Sequence, residues 1–138
     1  MIGYVTVGAD DLVKAEKFYS AFLQSLGYSL EISDEGLSYA MPTQDDATPN
    51  YPQFYVKPPH NGKAASVGNG TMVAFQVSIQ AQVRALHLAA LNAGGQDDGL
   101  PGFRAAYSAT FYVGYLRDPQ GNKIALYCNN PDEARRPE

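Results

Sequence analysis

Few side chains in this 138-residue chain can make or break bonds. There are two histidines, His60 and His87, one cysteine, Cys128, and two adjacent carboxylate pairs, Asp45-Asp46 and Asp97-Asp98. A divalent ion needs several donors at fixed distances, and short motifs such as His-x-x-x-His or Cys-x-x-Cys supply them at once. Neither motif occurs. His60 stands in a Pro-Asn-Gly stretch that reads as solvated loop, and His87, one turn from Val83 and from Leu91, reads as a helix-edge residue. Both aspartate pairs fall in Gly- or Pro-rich segments read as loops. Solvated charge is the default there, and a rim that gates substrate or attracts a cation is the alternative. Cys128 is expected on an apolar face with Ile124 and Leu126, as a buried and inert thiol. There is no Gly-x-Ser-x-Gly and no phosphate-cradling loop, and Gly94-Gly95 lacks the strand–glycine–helix order of a dinucleotide site. What the chain has in quantity is tyrosine, 10 residues of it, which favours recognition over nucleophilic attack.

Composition narrows the classes further. With 45% hydrophobic and 17% charged residues, 138 residues suffice for one domain with a real core. A net charge of −4 and scattered Lys and Arg leave no footprint for nucleic acid. No apolar run approaches the length of a membrane span, and the first residues go straight into a strand pattern without a secretion signal. The lone cysteine excludes an internal disulfide framework and suits a reducing compartment, so a cytoplasmic location is expected.

These residues must be carried by elements that the hydrophobic period defines. Ile2 to Gly8 alternates, with Val5 and Val7 on one face and Tyr4 and Thr6 on the other, which predicts a half-buried strand. Asp10 or Asp11 can cap a following helix whose stripe is Leu12, Ala15, Tyr19, Phe22 and Leu26, flanked by Phe18 and Leu23 and ended by Gly27. Tyr28 to Ser33 and Leu37 to Met41 read as a hairpin around Asp34-Glu35-Gly36, Thr43 to Pro52 as loop, and Gln53 to Lys57 as a fourth strand. After a Pro- and Gly-rich connector the plan recurs. A strand over Thr71 to Ser78 turns Val73, Phe75 and Val77 to one face, and a helix over Ile79 to Ala93 carries Val83, Leu86, Ala90 and Leu91. Residues 96–110 are expected to hold a loop and a short strand around Arg104 to Tyr107. Two aromatic and β-branched runs, 111–116 and 123–128, close the unit as a hairpin. Asp118-Pro119-Gln120-Gly121-Asn122 makes its turn, with Gly121 and Asn122 tolerating positive φ.

The two halves match. Val5 and Val73 lie 68 residues apart, as do Val7 and Phe75, and both halves read strand, helix, three strands. Such self-similarity suggests duplication. The expected organisation is one domain over 1–138: module one about 1–58, connector 59–69, module two about 70–131 and a short tail 132–138.

The Asp118-Pro-Gln-Gly-Asn122 turn leading into Lys123-Ile-Ala-Leu resembles the closing hairpin of the glyoxalase, bleomycin-resistance and extradiol-dioxygenase (vicinal oxygen chelate) superfamily. The runs Gly68-Asn-Gly-Thr-Met-Val-Ala-Phe75 and Gly94 to Arg104 resemble a glyoxalase-like subgroup of it. The resemblance implies an α+β fold of two βαβββ modules, forming a curled mixed sheet or half-barrel with helices on the outer face. In metal-using members four ligands come from the first and last strands of each module. Here those positions match Tyr4, Met72, Ala125 and either Gln53 or Tyr55, so no catalytic metal and no cofactor are expected. By the same resemblance Tyr4, Thr6, Gln53, Tyr55, Met72, Gln76, Ala125 and Tyr127 line a concave face, with Arg104 and Tyr107 nearby. That lining suits a small, partly aromatic molecule, with Arg104 placed to meet an anionic group. The alternative is that these side chains fill the half-barrel, or that Arg104 pairs with a loop aspartate. The functional expectation is a metal-free small-molecule binding protein of the bleomycin-resistance kind. A lyase, isomerase or dioxygenase-like enzyme is the alternative, with Tyr4, Tyr55 or Arg104 as its acid–base candidates, and a fold kept only for interaction is a third reading. The resemblance also implies a homodimer, and loop 43–51 is a candidate gate.

Overall fold

The computed structural model of the chain describes residues 1–42 and 52–138. Segment 43–51, with the expected loop, Asp45-Asp46 and the candidate gate, lies outside the described residues. The elements in order are β1 (Tyr4–Gly8), α1 (Leu12–Leu23), β2 (Ser29–Ser33), β3 (Gly36–Ala40), β4 (Gln53–Lys57), β5 (Met72–Gln76), α2 (Gln80–Asn92), β6 (Gln96–Phe103), β7 (Phe111–Arg117) and β8 (Lys123–Asn129). They form two four-stranded mixed sheets of matching topology, β1-β4-β3-β2 and β5-β8-β7-β6, which do not close into a barrel. In each sheet the first strand runs parallel to the last strand of its own module, and the hairpin strands follow antiparallel. The fold is α+β and built of two βαβββ units.

Alternation along each strand decides which face meets the helices. Val7, Phe54, Val56, Phe75, Ile124 and Leu126 are buried and join Phe18, Tyr19 and Phe22 of α1 and Val83, Leu86 and Ala90 of α2 in one cluster. Phe54 and Phe75, from different modules, meet edge to face at 5.2 Å, and Phe22 meets Phe75 at 5.7 Å. Burying one such ring is worth roughly 1.5–3 kcal/mol, and an edge-to-face contact adds about 0.5–1.5 kcal/mol. The aromatic contacts therefore join the modules through a common core. Asp11 caps α1, accepting from Lys14 N at 3.0 Å. For α2, the cap residue Ile79 has no side chain to offer, and Glu133 of the tail accepts from Gln80 N at 2.8 Å.

The turn 118–122 is a second junction. The buried Asp118 accepts through Oδ1 from the N–H groups of Gln120, Gly121 and Asn122, and through Oδ2 from the Tyr19 hydroxyl at 2.5 Å. Asn122 Nδ2 donates to Gly8 O at 2.9 Å and Asp10 N donates to Gln120 Oε1 at 2.9 Å, so module two's turn closes the β1–α1 corner of module one. Only Gly121 has positive φ, at 104°; Asn122, expected to share that role, does not. Burial, and next the Asp118 carboxylate beside it, push the Tyr19 phenol well above its ordinary pKa.

Three expectations are corrected. Module two's second strand is Gln96–Phe103, and Arg104 to Tyr107 is a turn closed by Tyr107 N donating to Arg104 O at 3.1 Å. The Asp, Gly and Pro residues that read as loop are accommodated by register shifts between Asp97 and Gly99 and between Gly99 and Gly102. Asp97 and Asp98 consequently stand on β6, not in a loop. His87 is buried rather than at the helix edge. Its Nε2 lies 3.0 Å from Tyr115 O and 3.5 Å from Asp97 Oδ1, and its ring packs where Gly114 has no side chain, 2.8 Å from the place a Cβ would take.

Candidate functional site

With the helices on one side, each sheet presents a free face to which the candidate residues point. On sheet one that face carries Tyr4 and Thr6 of β1 and Gln53, Tyr55 and Lys57 of β4. The Tyr4 and Tyr55 rings meet edge on at 5.5 Å, Lys57 Nζ lies 4.9 Å from the Tyr55 ring centre, and the Tyr55 hydroxyl donates to Gln53 Oε1. Tyr4, Thr6 and Lys57 line an open hollow of about 740 Å³ with Asp34, Glu35 and His60. Lys57 reaches Glu35 at 3.4 Å, which leaves Asp34 without a cation of its own among the lining groups.

On sheet two the free face carries Met72, Ala74 and Gln76 of β5, Lys123, Ala125 and Tyr127 of β8, and Phe111, Val113, Tyr115 and Arg117 of β7. Met72, Thr71, Tyr107, Tyr115, Arg117 and Lys123 line a second open hollow, of about 620 Å³. The Tyr115 ring has Arg104 Cζ 5.4 Å and Lys123 Nζ 5.0 Å from its centre. Burial and the neighbouring Tyr107 raise the Tyr115 phenol pKa, against the pull of Arg104. Lys123 and Arg117 converge on Asp98 Oδ2 at 3.3 and 3.0 Å, and these contacts, the Lys123 hydrogen bond first, hold the Asp98 carboxyl below its usual range. Tyr127 stacks on Phe111 at 5.4 Å, and Phe111 meets Tyr107 at 5.2 Å.

The expected lining is thus split. Tyr4 and Thr6 belong to one hollow and Met72 and Tyr107 to the other. Tyr55 and Gln53 are paired with each other beside the first, Gln76 is exposed, and Ala125 is buried in its sheet. Arg104 takes no aspartate among the described residues. Its Nη1 donates to Phe103 O at 3.1 Å and its Nη2 to Leu100 O at 2.8 Å, while Arg136 of the tail donates to Arg104 O at 2.8 Å and Tyr107 O at 3.0 Å. The tail therefore holds the turn that presents both residues. Sequence reasoning passed over Tyr115, Arg117 and Lys123. Alternation outward from the 118–122 turn was the signal that could have found them, because β7–β8 pairing puts Tyr115 opposite Ala125 and Arg117 opposite Lys123.

Register bears on an open choice. Tyr4 pairs with Gln53 and Thr6 with Tyr55 in sheet one, while Met72 pairs with Lys123 and Ala74 with Ala125 in sheet two. If Tyr4 corresponds to Met72, the counterpart of Ala125 is Tyr55, and Gln53 corresponds to Lys123. The resulting set of Tyr4, Tyr55, Met72 and Ala125 does not fit a divalent ion. Alanine has no donor, a thioether is soft, and the Tyr55 hydroxyl is engaged by Gln53. Among the described residues, no group of three or more His, Cys, Asp or Glu could hold a metal ion. The Cys128 thiol is buried, and burial first, then Glu133, raises its pKa, which opposes thiolate chemistry. No helix among the described residues is long and apolar enough to cross a membrane.

Solved structures share this architecture. A glyoxalase/bleomycin resistance protein from Albidiferax ferrireducens T118 is 33% identical over 93% of this chain and 98% of its own, with a TM-score of 0.76. A glyoxalase-related enzyme from Fulvimarina pelagi matches at 19% identity over 94% of this chain and 88% of its own, with a TM-score of 0.68. A glyoxalase/bleomycin resistance protein/dioxygenase family enzyme from Burkholderia phytofirmans PsJN matches at 16% identity over 92% and 97%, with a TM-score of 0.64. The latter two speak for the fold alone. Neither a protein-family profile nor a curated protein sequence matches the chain. The chain belongs to the glyoxalase/bleomycin resistance protein/dioxygenase superfamily.

Proposed function

We propose that the protein binds a small, partly aromatic molecule on the free faces of its sheets without help from a metal, as a binding protein and not a chelating enzyme. The observation that carries this is the side-chain chemistry at the four positions where the family's ligands are implied. Tyr4, Tyr55, Met72 and Ala125 offer ring faces, a soft thioether and open space rather than lone pairs in a tetrahedral or octahedral array. Hollows of about 740 and 620 Å³ fall in the range of small-molecule sites. Exposed Tyr4, Met72 and Tyr107 provide the apolar contact that such a ligand would cover.

A homodimer belongs to the same proposal. The first hollow places Asp34 and Glu35 beside Lys57, whereas Arg117 and Lys123 stand against Asp98 at the second and Arg104 lies over the Tyr115 ring. A second copy laid over these open faces would enclose the ligand. Sedimentation equilibrium at micromolar concentration is expected to give twice the chain mass, and a monomer would overturn this part.

The experiment for the binding reading is elemental mass spectrometry on tag-free protein before and after chelator dialysis, with mass spectrometry of what denaturation releases. Recovery of a stoichiometric organic molecule and sub-stoichiometric metal is the expected result. A stoichiometric divalent ion, with activity on a methylglyoxal–glutathione hemithioacetal that chelation abolishes, would replace it with the lyase reading. Hemithioacetal turnover that survives chelation and is lost in Tyr4→Phe would favour a metal-independent enzyme instead.

A further inference from the structure

Resting on the binding reading and narrowing its ligand class, we infer that the hollow on module two's free face takes the carboxylate end of a small aryl acid, with Lys123 meeting the anion. The hollow has two kinds of surface. One is apolar: Met72 and Val67 are 44% and 43% exposed and Tyr107 is 54% exposed, all three beside open space. The other is cationic: Lys123 Nζ and Arg117 Nε both lie within hydrogen-bonding or ion-pair distance of the same Asp98 oxygen, at 3.3 and 3.0 Å. Two cations sharing one carboxylate leave one positive charge uncompensated in that cluster.

The two cations are not equivalent. Arg117 is committed on a second side, its Nη1 donating to Gly121 O at 3.2 Å. Arg104 adds positive potential, but its guanidinium is fastened to the carbonyls of Leu100 and Phe103. Among the described residues Lys123 holds only Asp98 and the face of Tyr115, and an ammonium has three rotatable donors. It can keep Asp98 and still donate to a ligand oxygen. The surplus of cations over the one Asp98 carboxylate matches an anion, and the free donors of a single ammonium suit the two oxygens of a carboxylate. Its aryl portion would lie against Met72, Val67 and Tyr107, and Thr71 also lines the hollow and could meet a polar substituent. Module one's hollow lacks this combination, since Asp34 and Glu35 would repel the same anion.

The test uses 1-naphthoate and its uncharged isostere 1-naphthamide, titrated into the full chain and followed by protein amide shifts and ligand saturation transfer. The acid is expected to bind at least tenfold more tightly than the amide at low ionic strength, with the gap narrowing as salt rises. Lys123→Gln is expected to remove the gap while leaving amide affinity unchanged, and Met72→Ala to weaken both ligands. Asp98→Asn, which releases both cations, is expected to tighten the acid several-fold. Equal binding of acid and amide, or a gap that survives Lys123→Gln, would overturn the assignment of the anion. Amide binding that is lost in Met72→Ala would in that case leave the small-molecule reading standing. Absence of binding by either probe overturns the aryl-acid assignment, and the released-molecule experiment then decides the broader reading by itself. If Lys123→Gln melts early by circular dichroism, the salt dependence of the native protein and Asp98→Asn carry the test.

Discussion

The two free faces share one backbone plan and carry opposite chemistry. In both modules the first strand pairs in parallel with the last, so Tyr4 opposite Gln53 corresponds to Met72 opposite Lys123, and Thr6 opposite Tyr55 to Ala74 opposite Ala125. Where module one has the ring of Tyr55, module two has a methyl group. Acidic Asp34 and Glu35 border the first hollow, while Arg117 and Lys123 border the second. The opposite faces of the same strands resemble one another much more, because Val7, Phe54, Phe75 and Leu126 all fill one helix-covered core. Packing against a helix constrains volume and polarity, whereas a face that meets no helix is limited only by solubility and by whatever binds there.

The sharpest test of that contrast compares neighbours on one strand. Phe75→Ala should cost about 4 kcal/mol in urea denaturation, through lost burial and the cavity left among Phe22, Tyr28 and Phe54. Met72→Ala, on the other face of β5, should stay within about 0.5 kcal/mol. Similar losses for the two would break the distinction between faces.

Next in size is the junction between modules. Asp118→Ala removes a buried acceptor of three backbone N–H groups and the Tyr19 hydroxyl, at an expected cost of about 3 kcal/mol. Tyr19→Phe should cost about 1 kcal/mol. The same residues set an alkaline limit. Tyr19 is raised well above its ordinary value by burial and then by Asp118, and Tyr39 is pushed up to about 12 by burial. A phenol whose folded pKa exceeds its unfolded value contributes stability that is complete below the unfolded value, about 10, and lost as pH rises through the folded one. Ultraviolet titration should therefore show Tyr19 and Tyr39 ionising only as the protein unfolds above pH 10 or so. Two early, reversible tyrosine steps assigned to them would contradict it.

A smaller effect is expected at the turn presenting Arg104 and Tyr107. Arg136→Ala removes its clamp and should cost about 1 kcal/mol, with amide exchange quickening at 104–110 and not in β1 or β4. Smallest is Asp98→Asn. Asp98 is lowered by Lys123 and then by neighbouring charge, so its contribution is present above the unfolded carboxylate range and is lost as pH falls through the folded value. The variant should lower the neutral plateau slightly and leave the low-pH end unchanged, flattening the acid limb by the same small amount.

Much of the fold was legible because it is written in period and punctuation. Alternating Val5, Val7, Val73 and Phe75, the α1 stripe and the Asp-Pro-Gln-Gly-Asn turn each name their element without outside help. Residues 96–103 defeated that reading, since Asp97, Asp98, two glycines and Pro101 look like loop and become a strand only through bulged pairing with β7. His87 was missed for a related reason. Its burial depends on Gly114, a residue on another element whose missing side chain makes the room. Part of the candidate site was visible as alternation on β1, β5 and β8. Its division into two hollows was not visible, because that depends on how turns 34–35, 58–66 and 104–107 rise above the sheets. The roles of Glu133 and Arg136 were likewise hidden, since a tail that caps a helix and clamps a turn has no periodic signature.

The Asp118–Asn122 turn has a further consequence, for the order in which the chain can become native. Asn122 closes on Gly8 across 114 residues and Gln120 on Asp10 across 110. At the usual pace of synthesis, about 5–20 residues per second, the first strand and helix wait at least several seconds for their partner to leave the ribosome. Until then Phe54 lacks Phe75 and Tyr19 lacks its carboxylate. The early half of the protein is thus committed to a core that the late half completes, and contacts spanning so much of the chain point to slow, single-step folding rather than module by module.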